Sequence, residues 1–115
     1  MLFIYYPKCS TCQKAKKWLD GHNLEYTQRH IAENNPSYEE LKEWHQKSGL
    51  ALKKFFNTSG LIYKEMELKN KLSLMSEEEQ LKLLATNGML VKRPIIVSND
   101  KVLVGFKENE WEELL

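Results

Sequence analysis

The chain has 115 residues, 42% of them hydrophobic, which is one domain's worth of sequence with enough apolar material for a core. Its 17 basic and 16 acidic residues leave a formal net charge of +1, a balance that argues against direct nucleic-acid binding or attachment to an anionic membrane surface. No apolar run approaches the roughly 20 residues that span a bilayer, and the apolar start Met1–Tyr6 is too short, and lacks the basic residues, for a secretory leader. A cytoplasmic location is therefore expected, where cysteines are reduced thiols by default.

Leu2 to Tyr6 reads as a buried strand ended by Pro7. A helix follows, for which Ser10-Thr11-Cys12-Gln13 has capping-box spacing, with Ser10 as the expected N-cap and Gln13 reaching back. Ala15, Trp18 and Leu19 share one face, and Gly21 is a natural stop. Leu24 to Ile31 is expected to form a second strand, parallel to the first. Ser37-Tyr38-Glu39-Glu40 is another capping box; Tyr38, Leu41, Trp44 and His45 follow at helical spacing until Gly49. Leu50 to Phe56 reads as a short apolar helix ended by Asn57-Thr58-Ser59-Gly60. Ser76-Glu77-Glu78-Glu79 opens a further helix with Leu81, Leu84 and Ala85 inward and Asn87-Gly88 as its stop. Pro94 to Val97 and Val102 to Val104 flank the turn cluster Ser98-Asn99-Asp100-Lys101, the pattern of a hairpin. Glu108 to Leu115 is expected to be a last helix packing Trp111, Leu114 and Leu115. The order is βαβ, helices, then ββα. This is the α/β class, a thioredoxin-like sheet in one domain over residues 1–115, carrying a helical insertion at about 33–88.

The chemistry concentrates at Cys9 and Cys12. Two thiols three apart, between a strand and a helix, sit where unpaired N–H groups and the helix dipole favour a thiolate. Lys8 and Lys14 add positive charge nearby. Such surroundings lower a thiol from about 8.5 into a range of about 3.5–7.5. The more N-terminal Cys9 is assigned attack and Cys12 resolution by forming the internal disulfide. Two plainer readings compete. A structural zinc site needs four ligands, but the chain has no second cysteine pair, and His22, His30 and His45 are scattered, so no metal is expected. Two buried, inert thiols are the other alternative, although C-x-x-C between a strand and a helix is an uncommon way to fill a core.

Lys92-Arg93-Pro94 precedes the hairpin. Proline at a strand start costs no ladder bond and can also be cis. In a thioredoxin-like sheet that loop faces the reactive thiol, which would make Arg93 an always-charged fork for a thiolate or an oxyanion. A surface arginine before a strand is the simpler alternative. Trp18, Trp44, Phe55, Phe56 and Trp111 read as core, His45 as a partly buried helix residue, and Lys53-Lys54 and Glu77–Glu79 as solvated faces.

Tyr6-Pro7-Lys8-Cys9-Ser10-Thr11-Cys12-Gln13-Lys14-Ala15, Asn57-Thr58-Ser59-Gly60, Lys92-Arg93-Pro94-Ile95-Ile96-Val97 and Val104-Gly105-Phe106-Lys107 together resemble the ArsC/Spx family of thioredoxin-fold proteins. The family includes glutaredoxin-coupled arsenate reductases, the redox-sensing regulator Spx and YffB-like proteins. The resemblance implies a nucleophilic thiol at Cys9. It also implies an anion-binding arginine at Arg93. The other two arginines of the arsenate reductases fall at Asn57 and Phe106, with Lys53, Lys54 and Lys107 near them. A lysine does not replace the planar fork, so arsenate is expected to be a poor substrate. The polymerase-contacting glycine of Spx matches Gly49, whereas its arginine again falls at Asn57. Asn57 to Gly60 looks instead like the YffB-like branch.

These readings converge on a thiol–disulfide oxidoreductase with Cys9, Cys12 and Arg93 as its catalytic residues. Lys8, Ser10, Thr11, Asn57 and Pro94 are expected to line the substrate. The resemblance implies no bound cofactor, and reduction by glutathione or by a dithiol protein such as glutaredoxin or thioredoxin. A monomer is expected. The alternatives are a Spx-like redox regulator that binds the C-terminal domain of the RNA polymerase α-subunit, and a glutaredoxin-coupled arsenate reductase.

Overall fold

A computed structural model describes residues 1–115. Its sheet has four strands in the order β2-β1-β3-β4. Strand β1 (Leu2–Tyr5) pairs parallel with β2 (Thr27–His30) and antiparallel with β3 (Ile95–Val97), which pairs antiparallel with β4 (Val102–Val104). The mixed α/β architecture is the thioredoxin-like fold expected from the strand and helix order. Strand β2 is shorter than the Leu24–Ile31 expected: Leu24 and Tyr26 pack against the core from the loop before it.

Register explains why the central strands are apolar throughout. Phe3 faces Ile96, which faces Leu103; Ile4 faces Ile95, which faces Val104. Opposed residues of an antiparallel pair point to the same side, so the two sets line opposite faces, and both faces are covered. One face packs Phe3, Ala15, Leu19, Ile96 and Trp111, joining helices α1 (Ser10–Gly21) and α6 (Glu108–Trp111) to the sheet. The other face carries the larger core. There Ile4, Ile95 and Val102 meet Leu41, Trp44, Phe55, Phe56, Leu81 and Leu84.

Between β2 and β3 the chain forms α2 (Tyr38–Ser48), α3 (Leu61–Glu65), α4 (Leu68–Lys71) and α5 (Glu77–Leu84), with short 3-10 turns at Leu52–Phe55, Leu72–Leu74 and Gly88–Leu90. Ser37 and Ser76 close complete capping boxes on α2 and α5. Gly49, at φ +68°, ends α2 in the left-handed conformation that glycine adopts without strain. Of the helix expected over residues 50–56 only Leu52–Phe55 is helical, as a 3-10 turn, and α5 stops at Leu84, with Ala85 as its C-cap. At the C-terminus Trp111 is fully buried, but Leu115 is 65% exposed and does not join the core as expected.

Two local locks hold the segment that leads to β3. Gly88 lies so close to Ile31 that a Cβ would overlap its carbonyl oxygen. Asn35 Nδ2 donates to the Ala85 carbonyl at 2.7 Å, tying the end of α5 to the turn after β2. The amides of Asn57 and Lys92 then donate to Leu90 O and Phe55 O, flanking an antiparallel bridge between Phe56 and Val91. Residues 90–93 are thereby fixed at the end of the sheet where β1 and β2 finish and β3 begins.

Candidate functional site

Strand β1 ends in a turn closed by the Cys9 amide donating to Tyr6 O at 3.1 Å, with Pro7 at its first central position, where a fixed φ suits a turn. The turn delivers Cys9, not Ser10, to the N-cap of α1. Cys9 has extended backbone angles, φ −89° and ψ 118°, and its sulfur accepts from the Cys12 amide at 3.4 Å. The expected serine capping box is replaced by a thiol cap. Gln13 does reach back, but its Nε2 donates to Pro7 O at 2.8 Å. Ser10 is the first helical residue, and Ser10, Thr11 and Lys8 are all exposed.

The two thiols sit in opposite electrostatic situations. Burial pushes Cys9 up. The Cys12 amide, the Cys12 thiol, the Thr11 amide and the charge of Arg93 together outweigh burial and hold Cys9 below its usual value. Burial likewise pushes Cys12 up, and here it prevails. The hydrogen bond with Cys9 and the Cys9 charge add to it, against a backbone hydrogen bond from Tyr6 and the charge of Arg93, so Cys12 is pushed up to about 12. Cys12 is 1% exposed, whereas Cys9 is half-buried. One thiol is lowered and partly exposed, the other raised and shielded.

Arg93, just before β3, is the charged side chain whose field favours both thiolates. The Arg93–Pro94 peptide bond is cis. Nη1 of Arg93 donates to Met89 O at 3.2 Å and more loosely to Val91 O at 3.5 Å. Its Cζ lies 5.1 Å from the centre of the Tyr6 ring. Pro94 is buried, and its carbonyl accepts from the Gly105 amide at 2.8 Å, joining the starts of β3 and the end of β4.

The other candidates have contacts of their own. Asn57 is anchored by its backbone to Leu90, but its side chain folds over Gly60 and accepts from Ser59 Oγ at 3.4 Å. Phe106 packs edge-on against Trp111, with centroids 5.0 Å apart, and against Trp18 at 6.3 Å, which makes it part of the apolar layer under α6. Lys53, Lys54 and Lys107 are exposed. His45 packs edge-on against Phe55. No group of three or more His, Cys, Asp or Glu side chains is arranged to hold a metal ion. The residues that sequence reasoning missed are Tyr6, which carries the guanidinium, and His30, whose ring meets the Tyr6 ring edge-on at 5.6 Å.

Several known proteins are similar to this chain. YusI of Bacillus subtilis is 60% identical over 113 residues, covering 98% of this chain and 96% of that protein. The regulatory protein MgsR of the same organism is 32% identical over 114 residues, covering 99% of this chain and 89% of MgsR. The crystal structure of an ArsC family related protein from Bacteroides fragilis superposes with a TM-score of 0.98 at 63% identity, covering 99% of this chain and 96% of that one. The sequence pattern of the ArsC family runs through β1, the Cys9–Cys12 turn, the inserted helices and the hairpin, from residue 4 to residue 114, and the chain belongs to the ArsC family.

Proposed function

We propose that this protein is a cytoplasmic thiol–disulfide oxidoreductase in which Cys9 attacks, Cys12 resolves and Arg93 stabilises the thiolate. The observation that carries this reading is the asymmetry of the pair: a partly exposed thiol that caps a helix and is held below its ordinary value, beside a buried thiol pushed above its own. Cys9 thiolate attacks one sulfur of a disulfide, such as a glutathione mixed disulfide. The S–S bond breaks, the other sulfur leaves as a thiolate and takes up a proton, and Cys9 is left in a mixed disulfide.

Consuming the Cys9 charge removes two of the causes that keep Cys12 protonated. Cys12 then loses its proton more readily and attacks the Cys9 sulfur. It releases the second thiol and closes the Cys9–Cys12 disulfide. Glutathione, or a dithiol protein of the glutaredoxin or thioredoxin kind, supplies the two electrons that reopen it. Lys8, Ser10, Thr11, Asn57 and Pro94 would border the approaching substrate. Arsenate fits poorly, because the position of one anion-binding arginine is the packed Phe106 and that of another is Asn57.

The test is turnover of a glutathione mixed disulfide by the wild type, Cys9→Ser and Cys12→Ser. Cys9→Ser should be inactive, and Cys12→Ser should accumulate the mixed disulfide, visible by mass spectrometry. Undiminished turnover in Cys12→Ser would remove the two-cysteine mechanism.

A second reading, a redox-sensing regulator, is favoured by the 32% identity to MgsR along almost the whole chain. It predicts that the reduced and disulfide forms differ in binding the C-terminal domain of the RNA polymerase α-subunit in a pull-down. No capture of either form would eliminate it.

A further inference from the structure

Arg93 has a neighbour that the thiol chemistry above does not use. Its Cζ lies 5.1 Å from the centre of the Tyr6 ring, within the roughly 6 Å over which a guanidinium is attracted to an aromatic face. Tyr6 immediately follows β1, and its carbonyl closes the turn that presents Cys9. The same residue therefore touches both partners of the proposed thiolate–guanidinium pair. The ring is itself held. His30, at the end of β2, meets it edge-on at 5.6 Å and 80°. The His30 imidazole is fixed in turn, because Nδ1 accepts from the amides of Ala32 and Glu33, each at 3.1 Å.

The guanidinium is thus supported on two sides. Backbone carbonyls at Met89 and Val91 engage Nη1, and an aromatic face carries the carbon centre. A long, rotamer-rich side chain loses less entropy on meeting a charged partner when it is already held in place.

We propose that Tyr6 is a positioning residue: its ring is a platform that holds the Arg93 guanidinium where its charge acts on Cys9. The inference rests on the reading of Cys9 as the attacking thiol and Arg93 as its stabiliser. It adds that the platform sets how strongly Arg93 acts. Tyr6 does not itself touch substrate.

The experiment replaces Tyr6 by phenylalanine and then by progressively fluorinated phenylalanines, which keep the shape of the ring while withdrawing the electron density that attracts a cation. The readout is the pH profile of iodoacetamide alkylation at Cys9, measured in the full-length reduced protein and again in an Arg93→Met background. With Arg93 present, the profile should move to higher pH at each fluorination step. Across the series, alkylation below the midpoint should slow by about two- to fivefold, the range of an exposed cation–π contact. In Arg93→Met the series should be flat. A flat series with Arg93 present overturns the proposal. An equal trend with and without Arg93 also overturns it, because the ring would then act on the sulfur directly. If Arg93→Met alone leaves the Cys9 profile unchanged, the stabilising role of Arg93 fails as well. If Arg93→Met shifts the profile while the fluorinated series does not, only the platform fails.

Discussion

Cys9 performs two tasks with one atom. Its sulfur caps α1 by accepting the Cys12 amide, and the same amide hydrogen bond favours the thiolate. The coupling between the two thiols yields a prediction about the residue that is harder to reach. In Cys9→Ala, Cys12 loses both the hydrogen bond and the charge of its neighbour, while burial remains. Its titration, followed by ultraviolet thiolate absorbance, should therefore fall from about 12 yet stay above the ordinary thiol range. An unchanged Cys12 would show that burial alone sets its value. Part of this was legible in the chain: C-x-x-C after a short strand puts both thiols at the head of α1. The cap was not, because Ser10 and Gln13 have the spacing of a capping box, and serine is a far commoner N-cap than cysteine. Tyr6 was invisible for a different reason. Its partner is Arg93, 87 positions away, and only the sheet order brings the end of β1 beside the start of β3.

Beside its apolar packing on the sheet, helix α2 is tied to β2 by an ion pair from Arg29, and this junction should respond to pH. Arg29 on β2 grips Glu40 with two hydrogen bonds, 2.6 Å to Oε2 and 2.9 Å to Oε1, while Nε and Nη2 bind the carbonyls of Asn34 and Asn35. Glu40 is also the closing residue of the α2 capping box, accepting from the Ser37 amide at 3.0 Å. The Arg29 side-chain bonds pull its carboxyl down to about 2 from 4.5, against the opposing effect of burial. A carboxyl whose value is lower in the folded state stabilises the fold once it is ionised in both states. Its contribution is complete above about 4.5 and fades as the pH falls toward about 2. Glu40→Gln should cost about 1–2 kcal/mol near neutrality, allowing for solvent screening of a carboxylate that is 37% exposed. The gap between variant and wild type in urea unfolding should narrow as the pH drops through that window. A gap independent of pH would contradict the ionic origin. Ser37-x-x-Glu40 was readable as a capping box, but the Arg29 contact was not, since it crosses from strand to helix. The stretch from Leu61 to Leu74 gave no clear pattern because its elements are short and Leu61 and Leu74 are 72% and 84% exposed.

At the scale of the molecule, the sheet divides the core unequally, and the smaller half lies on the face that α1 covers. The inserted helices bury most of the apolar residues on one face. The other face depends on five fully buried residues, with Trp111 the largest. Trp111 also makes a polar contact: its Nε1 donates at 3.0 Å to the carbonyl of Gly105, which follows β4 and adopts φ +77°. The strand that braces Pro94 through the Gly105 amide is therefore held from its far side by the C-terminal helix. Trp111→Phe keeps an aromatic ring against Phe3, Trp18 and Phe106 but abandons the Gly105 carbonyl and some packing volume. The lost hydrogen bond alone should cost about 1–3 kcal/mol in urea unfolding, because a partly buried acceptor is left without its donor. The effect should extend to the thiol. Loosening Gly105 loosens the start of β3, and Arg93 is the residue before Pro94. The Cys9 alkylation profile of Trp111→Phe should accordingly move toward higher pH, while Ser76→Ala, which removes the N-cap of α5, should lower stability and leave that profile in place. Equal shifts in both variants would mean that Cys9 reports global stability. A shift confined to Trp111→Phe would trace the support of the thiol through β4 to the C-terminal helix.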